Sequence, residues 1–216
     1  MIAQSSKLSK KLINLGAEQL CYRLLILLLV PSGTLTLSYA GDYVINPSNT
    51  NIRFAIDNLK SSATTGGFYN IKGQLQYDAS AKTGNISLNI PINSLQTSSK
   101  IIDKNLASVD FFDAQRYPSA RFDSTKWYFS TNAASSNNAS QVTKIEGNLT
   151  LHGETHPITL TASNFSCYVS IITKKEVCAG NFRTTIDRKK WHINKYTLFG
   201  LTKNLTLDIH VEASKQ

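Results

Sequence analysis

Apolar and polar residues alternate along most of this chain, and that period of two constrains the fold more than any motif does. In NIRFAID, Ile52, Phe54 and Ile56 share one face; in GNISLNIPIN the same holds for Ile86, Leu88, Ile90 and Ile92, and in NLTLDIHVEA for Leu205, Leu207, Ile209 and Val211. Successive side chains of a strand point to opposite faces, so this spacing describes strands with one buried and one wet face, the mark of antiparallel sheet. Similar runs at 67–77, 119–130, 142–151, 157–167 and 177–186, with DYVIN at 42–46, bring the number of strands to eight or nine. The polar stretches NPSNTN, DASAKTGN, HGETHP and TKKE read as hairpin turns, and STNAASSNNAS near residue 135 as a solvated loop. One short helix is expected over residues 99–108, where Ile101, Ile102 and Leu106 fall at helical spacing with Asp103 and Lys104 outward. Strands of roughly ten residues are longer than the usual five or six and suit the steep tilt of a closed barrel. The expected fold is therefore all-β, an eight-stranded antiparallel barrel with one short helix or lid. Closure removes exposed sheet edges and leaves room for one small ligand.

Residues 1–40 are set apart from this pattern. Lys7, Lys10, Lys11 and Arg23 precede the apolar run LLILLLV, and Ser38 and Ala40 supply small residues at a cleavage site. That order is a secretory signal peptide, cleaved after Ala40. The apolar run is far short of the roughly 20 residues a spanning helix needs, and Pro31 and Gly33 follow it. Cys21 precedes the run, whereas a lipoprotein cysteine follows it. Residues 41–216 are then one domain, large enough for a sizeable core.

Of 23 basic and 14 acidic residues the leader holds four and one, which leaves residues 41–216 with a net charge of +6. Only RKK at 188–190 is clustered, without an aromatic-and-basic signature, so nucleic acid is not an expected partner, whereas transient contact with a membrane surface is. Cys167 and Cys178 lie eleven positions apart on two strand-like runs. In an exported chain a disulfide between them is the expectation, and closing so short a loop contributes about 3 kcal/mol in chain entropy.

Enzyme motifs such as GxSxG, the P-loop, GxGxxG and HExxH do not occur. His152, Glu154 and His156 of HGETH would share one face of a continuous strand and could hold zinc, but Gly153 makes the segment a hairpin turn and splits that face. Turn histidines are expected there, with no metal and no cofactor. RKKWHINKYTLFG reads as a long solvated loop before the last strand; the sharper alternative is a cationic rim meeting a lipid headgroup, with Arg183, Arg188 and Lys189 as its candidate contacts.

The segment NLASVDFFDAQRYPSARFDST, residues 105–125, resembles the L-x-S-x-D-F-F-D segment followed by Y-P in the YceI-like family of exported proteins. Three further blocks agree: YVINPSNTNIRFAIDNL with GGFYNIKGQLQYD, then IEGNLTLHGETHPITL, then FRTTIDRKKWHI. KKWHINKYTLFG departs from the small, glycine-containing pattern expected after the I-D-R block. The resemblance spans residues 42–213 and implies a lipocalin-like barrel whose long apolar cavity holds a polyisoprenoid, quinone or other long-chain amphiphile in the periplasm. It also implies that residues 106–122 form a lid, with Leu106, Phe111 and Phe112 toward the barrel mouth, Asp110 and Asp113 facing water or capping turns, and Pro118 stopping the helix. Face parity offers Phe54, Ile56, Phe68, Leu75, Leu88, Ile90, Phe122, Leu149, Leu151, Phe182 and Leu207 as candidate walls, each of which could equally be plain core. Two other readings stay open: a lipid-modifying enzyme using His152 or His156, and a non-binding envelope stress protein with a solid barrel. A homodimer enclosing a longer tail is also left open.

Overall fold

The computed structural model describes residues 40–58, 61–130, 141–195 and 201–216. The leader expected over 1–40 lies, except for Ala40, outside the described residues, as does the polar loop at 131–140. Eleven strands are found among the described residues: β1 (Gly41–Ile45), β2 (Asn51–Asn58), β3 (Ser61–Phe68), β4 (Lys72–Asp78), β5 (Thr83–Pro91), β6 (Gln96–Thr97), β7 (Ser119–Phe129), β8 (Val142–Leu151), β9 (Glu154–Val169), β10 (Glu176–Asp187) and β11 (Leu201–Lys215). A helix, α1 (Lys100–Ala107), falls inside the span expected for it.

Every pairing is antiparallel, and the order β1-β4-β5-β7-β8-β9-β10-β11 returns to β1 through Tyr43 opposite Lys215, closing a ring of eight. The other three strands continue members of that ring: β2 extends β1 along the same partner, β11, while β3 precedes β4 and β6 follows β5. NPSNTN is therefore not a hairpin turn. It bulges between β1 and β2 without reversing the chain, because Glu212 of β11 holds it in place. The Glu212 carboxylate accepts from Asn46 Nδ2 at 3.0 Å and Asn49 Nδ2 at 2.7 Å, and the buried Thr50 hydroxyl accepts from the Glu212 amide at 3.1 Å. The strand β3 carries no sequence signal over SSATT, which has no apolar alternation.

Inward and outward positions alternate as the sequence requires. On β10, Phe182, Thr184 and Ile186 are buried while Asn181, Arg183 and Thr185 face water. The barrel interior divides into two halves. At the end where β9 turns into β10, aromatic rings fill the section: Phe165 sits 4.9 Å from Tyr77, 5.7 Å from Trp127 and 6.4 Å from Phe182 between ring centroids. The expected disulfide is present there, Cys167 standing directly opposite Cys178 with Cα atoms 4.0 Å apart. The opposite end is closed by α1 and the chain that follows it, and there the packing is incomplete.

Candidate functional site

The crossover from β5 to β7 builds the lid. Asp103 on α1 anchors it, its carboxylate accepting from the Thr97 amide at 2.6 Å and the Thr97 hydroxyl at 2.8 Å. These bonds hold the Asp103 carboxyl below the usual carboxylate range, with Lys100 acting in the same direction. After the helix the chain curls back on itself. The amides of Phe112 and Ala114 donate to the carbonyls of Leu106 and Ala107, and Asp113 adopts a left-handed φ of 44°. This tight curl turns both adjacent phenylalanines inward, so that Phe111 and Phe112 are buried although they sit in a segment of turns. Phe112 meets Phe68 edge-on, centroids 5.5 Å apart. Asp110, at the surface, pairs with Lys195 at 3.1 Å.

Beneath the lid lies a cavity of about 200 Å³ walled by Phe54, Ile56, Ile102, Leu106, Phe111, Phe112, Leu151, Ile186, Ile193 and Leu205, with Thr64, Asn105 and Arg188 as its polar members. A second space of about 50 Å³ lies deeper, among Ile52, Phe68, Ile90, Ile92, Phe112, Ala120, Leu149 and Leu207, and it shares Leu151, Ile186 and Leu205 with the first. Phe112 borders both spaces. The structure thus brings Phe54, Ile56, Phe68, Ile90, Leu106, Phe111, Phe112, Leu149, Leu151 and Leu207 around one apolar shaft. Leu75, Leu88, Phe122 and Phe182 border neither space and belong to the filled part of the core. Strand parity could not separate the two groups, since all share the inner face. Ile52, Ile92, Ile102, Ile186, Ile193 and Leu205 line these spaces without being among the expected walls: four share the apolar spacing of the candidates, Ile102 falls on the helix, and Ile193 lies in a segment expected to be solvated.

Up to Lys195 the segment RKKWHINKYTLFG differs from its expectation, and residues 196–200 lie outside the described residues. Residues 188–191 form a 3-10 turn that tucks against the barrel, with Trp191 1% and Ile193 4% exposed. Arg188 is not on an open rim. Its guanidinium is buried and donates to the carbonyls of Thr202 at 2.9 Å, Ile193 at 2.6 Å and Lys195 at 3.1 Å. Burial pulls its pKa below the ordinary arginine value, with Asp187 opposing. Arg183 faces outward on the barrel wall, paired with Asp208 at 2.6 Å, and Lys189 alone of the three stands free-facing at the lidded end.

The histidines explain the tuck. His152 and Gly153 form a two-residue turn with φ of 50° and 82°, which suits a glycine at the second position. His152 Nδ1 donates to the Trp191 carbonyl at 3.0 Å and His156 Nε2 to the Lys190 carbonyl at 2.9 Å, while Trp191 Nε1 donates to Leu149. HGETH and RKKWH are therefore two halves of one clasp at the lidded end. Among the described residues no three His, Cys, Asp or Glu side chains are grouped as a metal site.

These strands and the segment over them define a class, the closed antiparallel barrel with an apolar cavity under a lid. The chain belongs to the YceI-like family, whose domain its residues 43–213 match. A UPF0312 protein of Shewanella denitrificans is 30% identical over 186 residues, covering 82% of this chain and 89% of the relative. A UPF0312 protein of Vibrio cholerae is 32% identical over 126 residues, 57% of this chain, so the match spans only 62% of that relative's length. In fold, the chain is similar to the YceI protein of Campylobacter jejuni, with a TM-score of 0.61 at 24% identity over 74% of this chain and 90% of the other. It is similar also to a polyisoprenoid binding domain from Saccharophagus degradans, with a TM-score of 0.57 at 11% identity over 82% of this chain and all of the other.

Proposed function

We propose that this protein carries a polyisoprenoid, quinone or similar long-chain amphiphile, held without covalent chemistry in the shaft beneath the lid, and that it works in the periplasm after its leader is cleaved. The observation that carries the reading is the shaft itself: an apolar cavity of about 200 Å³ roofed by Phe111 and Phe112 on a segment of turns. The similarity in fold to a domain described as polyisoprenoid-binding supports the same chemistry. An isoprenoid tail gains about 0.8 kcal/mol for each CH₂ withdrawn from water, which favours even partial insertion.

The closed cavity is smaller than the roughly 300–1,000 Å³ of ordinary ligand sites, so loading a full tail requires the lid to move. The lid is built for that. No residue of α1 is buried, and the surface ion pair between Asp110, in the turns after the helix, and Lys195 contributes at most about 1 kcal/mol. Swinging Phe112 aside would join the two spaces it separates. Catalysis by His152 or His156 fits the geometry less well, since each ring commits one nitrogen to a backbone carbonyl of the clasp.

Mass spectrometry of organic extracts from natively purified protein tests the proposal. A long-chain amphiphile near one equivalent is the expected result, and protein empty in repeated preparations overturns it. His152→Ala combined with His156→Ala should leave the mass of the bound lipid unchanged if no enzymatic step is involved, whatever the amount held, since the same change releases the clasp.

A further inference from the structure

The hairpin between β9 and β10 lies at the end of the barrel opposite the lid. The β9 ladder with β8 stops at Thr161, but pairing with β10 runs on to Val169 opposite Glu176, and the Cys167–Cys178 disulfide crosses the ribbon two residues below its end. A turn tightened by the Lys174 amide donating to Ser170 and the Ser170 amide donating to Lys175, both at 2.9 Å, closes it. Gly, Asn, Asp and Ser are the usual residues of such a turn. Here the apex carries Ile171 and Ile172, 84% and 87% exposed, above Val169 at 65% and Tyr168 at 49%. Lys174 and Lys175 follow after Thr173, both exposed and outside every ion pair found among the described residues. The nearest acid, Glu176, is already held by Lys215 at 2.7 Å.

We infer that this hairpin is a membrane anchor: Ile171 and Ile172 insert into the interfacial layer of an anionic bilayer while Lys174 and Lys175 meet its headgroups. The shape and the charge choose this occupant. The apex is convex and two residues wide, too small for the roughly 800 Å² per partner that a stable protein interface buries, whereas a bilayer interface accepts a narrow apolar tip. A cation beside the apolar pair complements an anionic surface, and Tyr168 sits one step back, where aromatic residues favour the headgroup level. The disulfide keeps the ribbon stiff enough to act as a probe. This places membrane contact at the end away from the lid, not at the expected rim of Arg183, Arg188 and Lys189, and it stands independently of what the shaft holds.

Flotation of the natively purified protein with vesicles of phosphatidylglycerol and phosphatidylethanolamine, against vesicles of phosphatidylcholine alone, tests the inference. Binding to the anionic vesicles is expected, and Ile171→Ser with Ile172→Ser should lower the partition coefficient by at least about tenfold. Lys174→Gln with Lys175→Gln should weaken it by about fivefold per lysine and remove its salt dependence. Lys189→Gln with Lys190→Gln, at the lidded end, should change nothing, and an Ile172→Trp variant should shift its emission to the blue on anionic vesicles. The inference falls if the wild-type protein stays unbound, or if the lidded-end variant and not the isoleucine variant loses binding. It falls equally if the isoleucines prove to hold a dimer together in sedimentation without engaging vesicles.

Discussion

Three residues show how single positions set the properties of the barrel interior. Gly66 of β3 stands opposite Phe54, and a methyl group there would lie 2.5 Å from the Phe54 ring and 2.8 Å from Thr97. Gly66→Ala should therefore push that ring toward the cavity, costing about 1–3 kcal/mol of stability and lowering the lipid recovered per folded molecule. Extraction and thermal melting of the same preparation read both effects. Arg188 does the reverse job, holding backbone in place instead of clearing space. Arg188→Met removes the donor from three carbonyls and should destabilise the protein by about 3 kcal/mol in denaturant titration, without the selective loss of anionic lipid that a headgroup contact would show. Phe122 is 3% exposed in the filled core, and Phe122→Asp should abolish folding outright, seen as loss of the near-ultraviolet circular dichroism.

At the scale of elements, the hold of the lid depends on a titrating group. Asp103 has a depressed pKa, so the bonds from Thr97 are fully present above the ordinary carboxylate range and are lost as pH falls through the lower, folded value. Acidification below about pH 4 should loosen α1 and speed lipid release in stopped-flow measurements. Asp103→Asn retains an acceptor for Thr97 and should flatten that pH dependence; an unchanged acid response would place the trigger elsewhere. The hairpin of β9 and β10 behaves oppositely, since its stiffness is covalent. Replacing both Cys167 and Cys178 by Ala should lower stability by about 3 kcal/mol while the lidded end continues to load lipid.

For the molecule as a whole, a ligand that binds only the closed barrel stabilises it by mass action, by about 2.7 kcal/mol at a hundred times its dissociation constant. Delipidated protein should therefore melt lower than the native preparation and recover on addition of a long-chain isoprenoid. The ring of eight strands was legible in the chain because each inner face repeats an apolar residue at every second position, as in Ile52, Phe54 and Ile56, and a period of two survives without any knowledge of partners. The lid was legible as a resemblance only; nothing in DFFD by periodicity says that both rings turn inward, because that follows from the curl of Leu106 and Ala107 over Phe112 and Ala114. Reading NPSNTN as a reversal failed for a similar reason. Its residues are turn formers by composition, and only Glu212, over 160 positions away, converts the turn into a bulge.

The sequence by itself determined most of the ring strands, the helix, the cysteine pair and the sign of the charge, since each depends on neighbours within a few residues. Which inward side chains border a cavity and which fill the core was decided only by the tertiary structure. So were the burial of Arg188 and Trp191 and the exposure of Ile171 and Ile172. The first two depend on how the closed wall and the segments folded over its end fill the space within, and the last on how far the β9–β10 ribbon runs on beyond β8, neither of which a local pattern encodes.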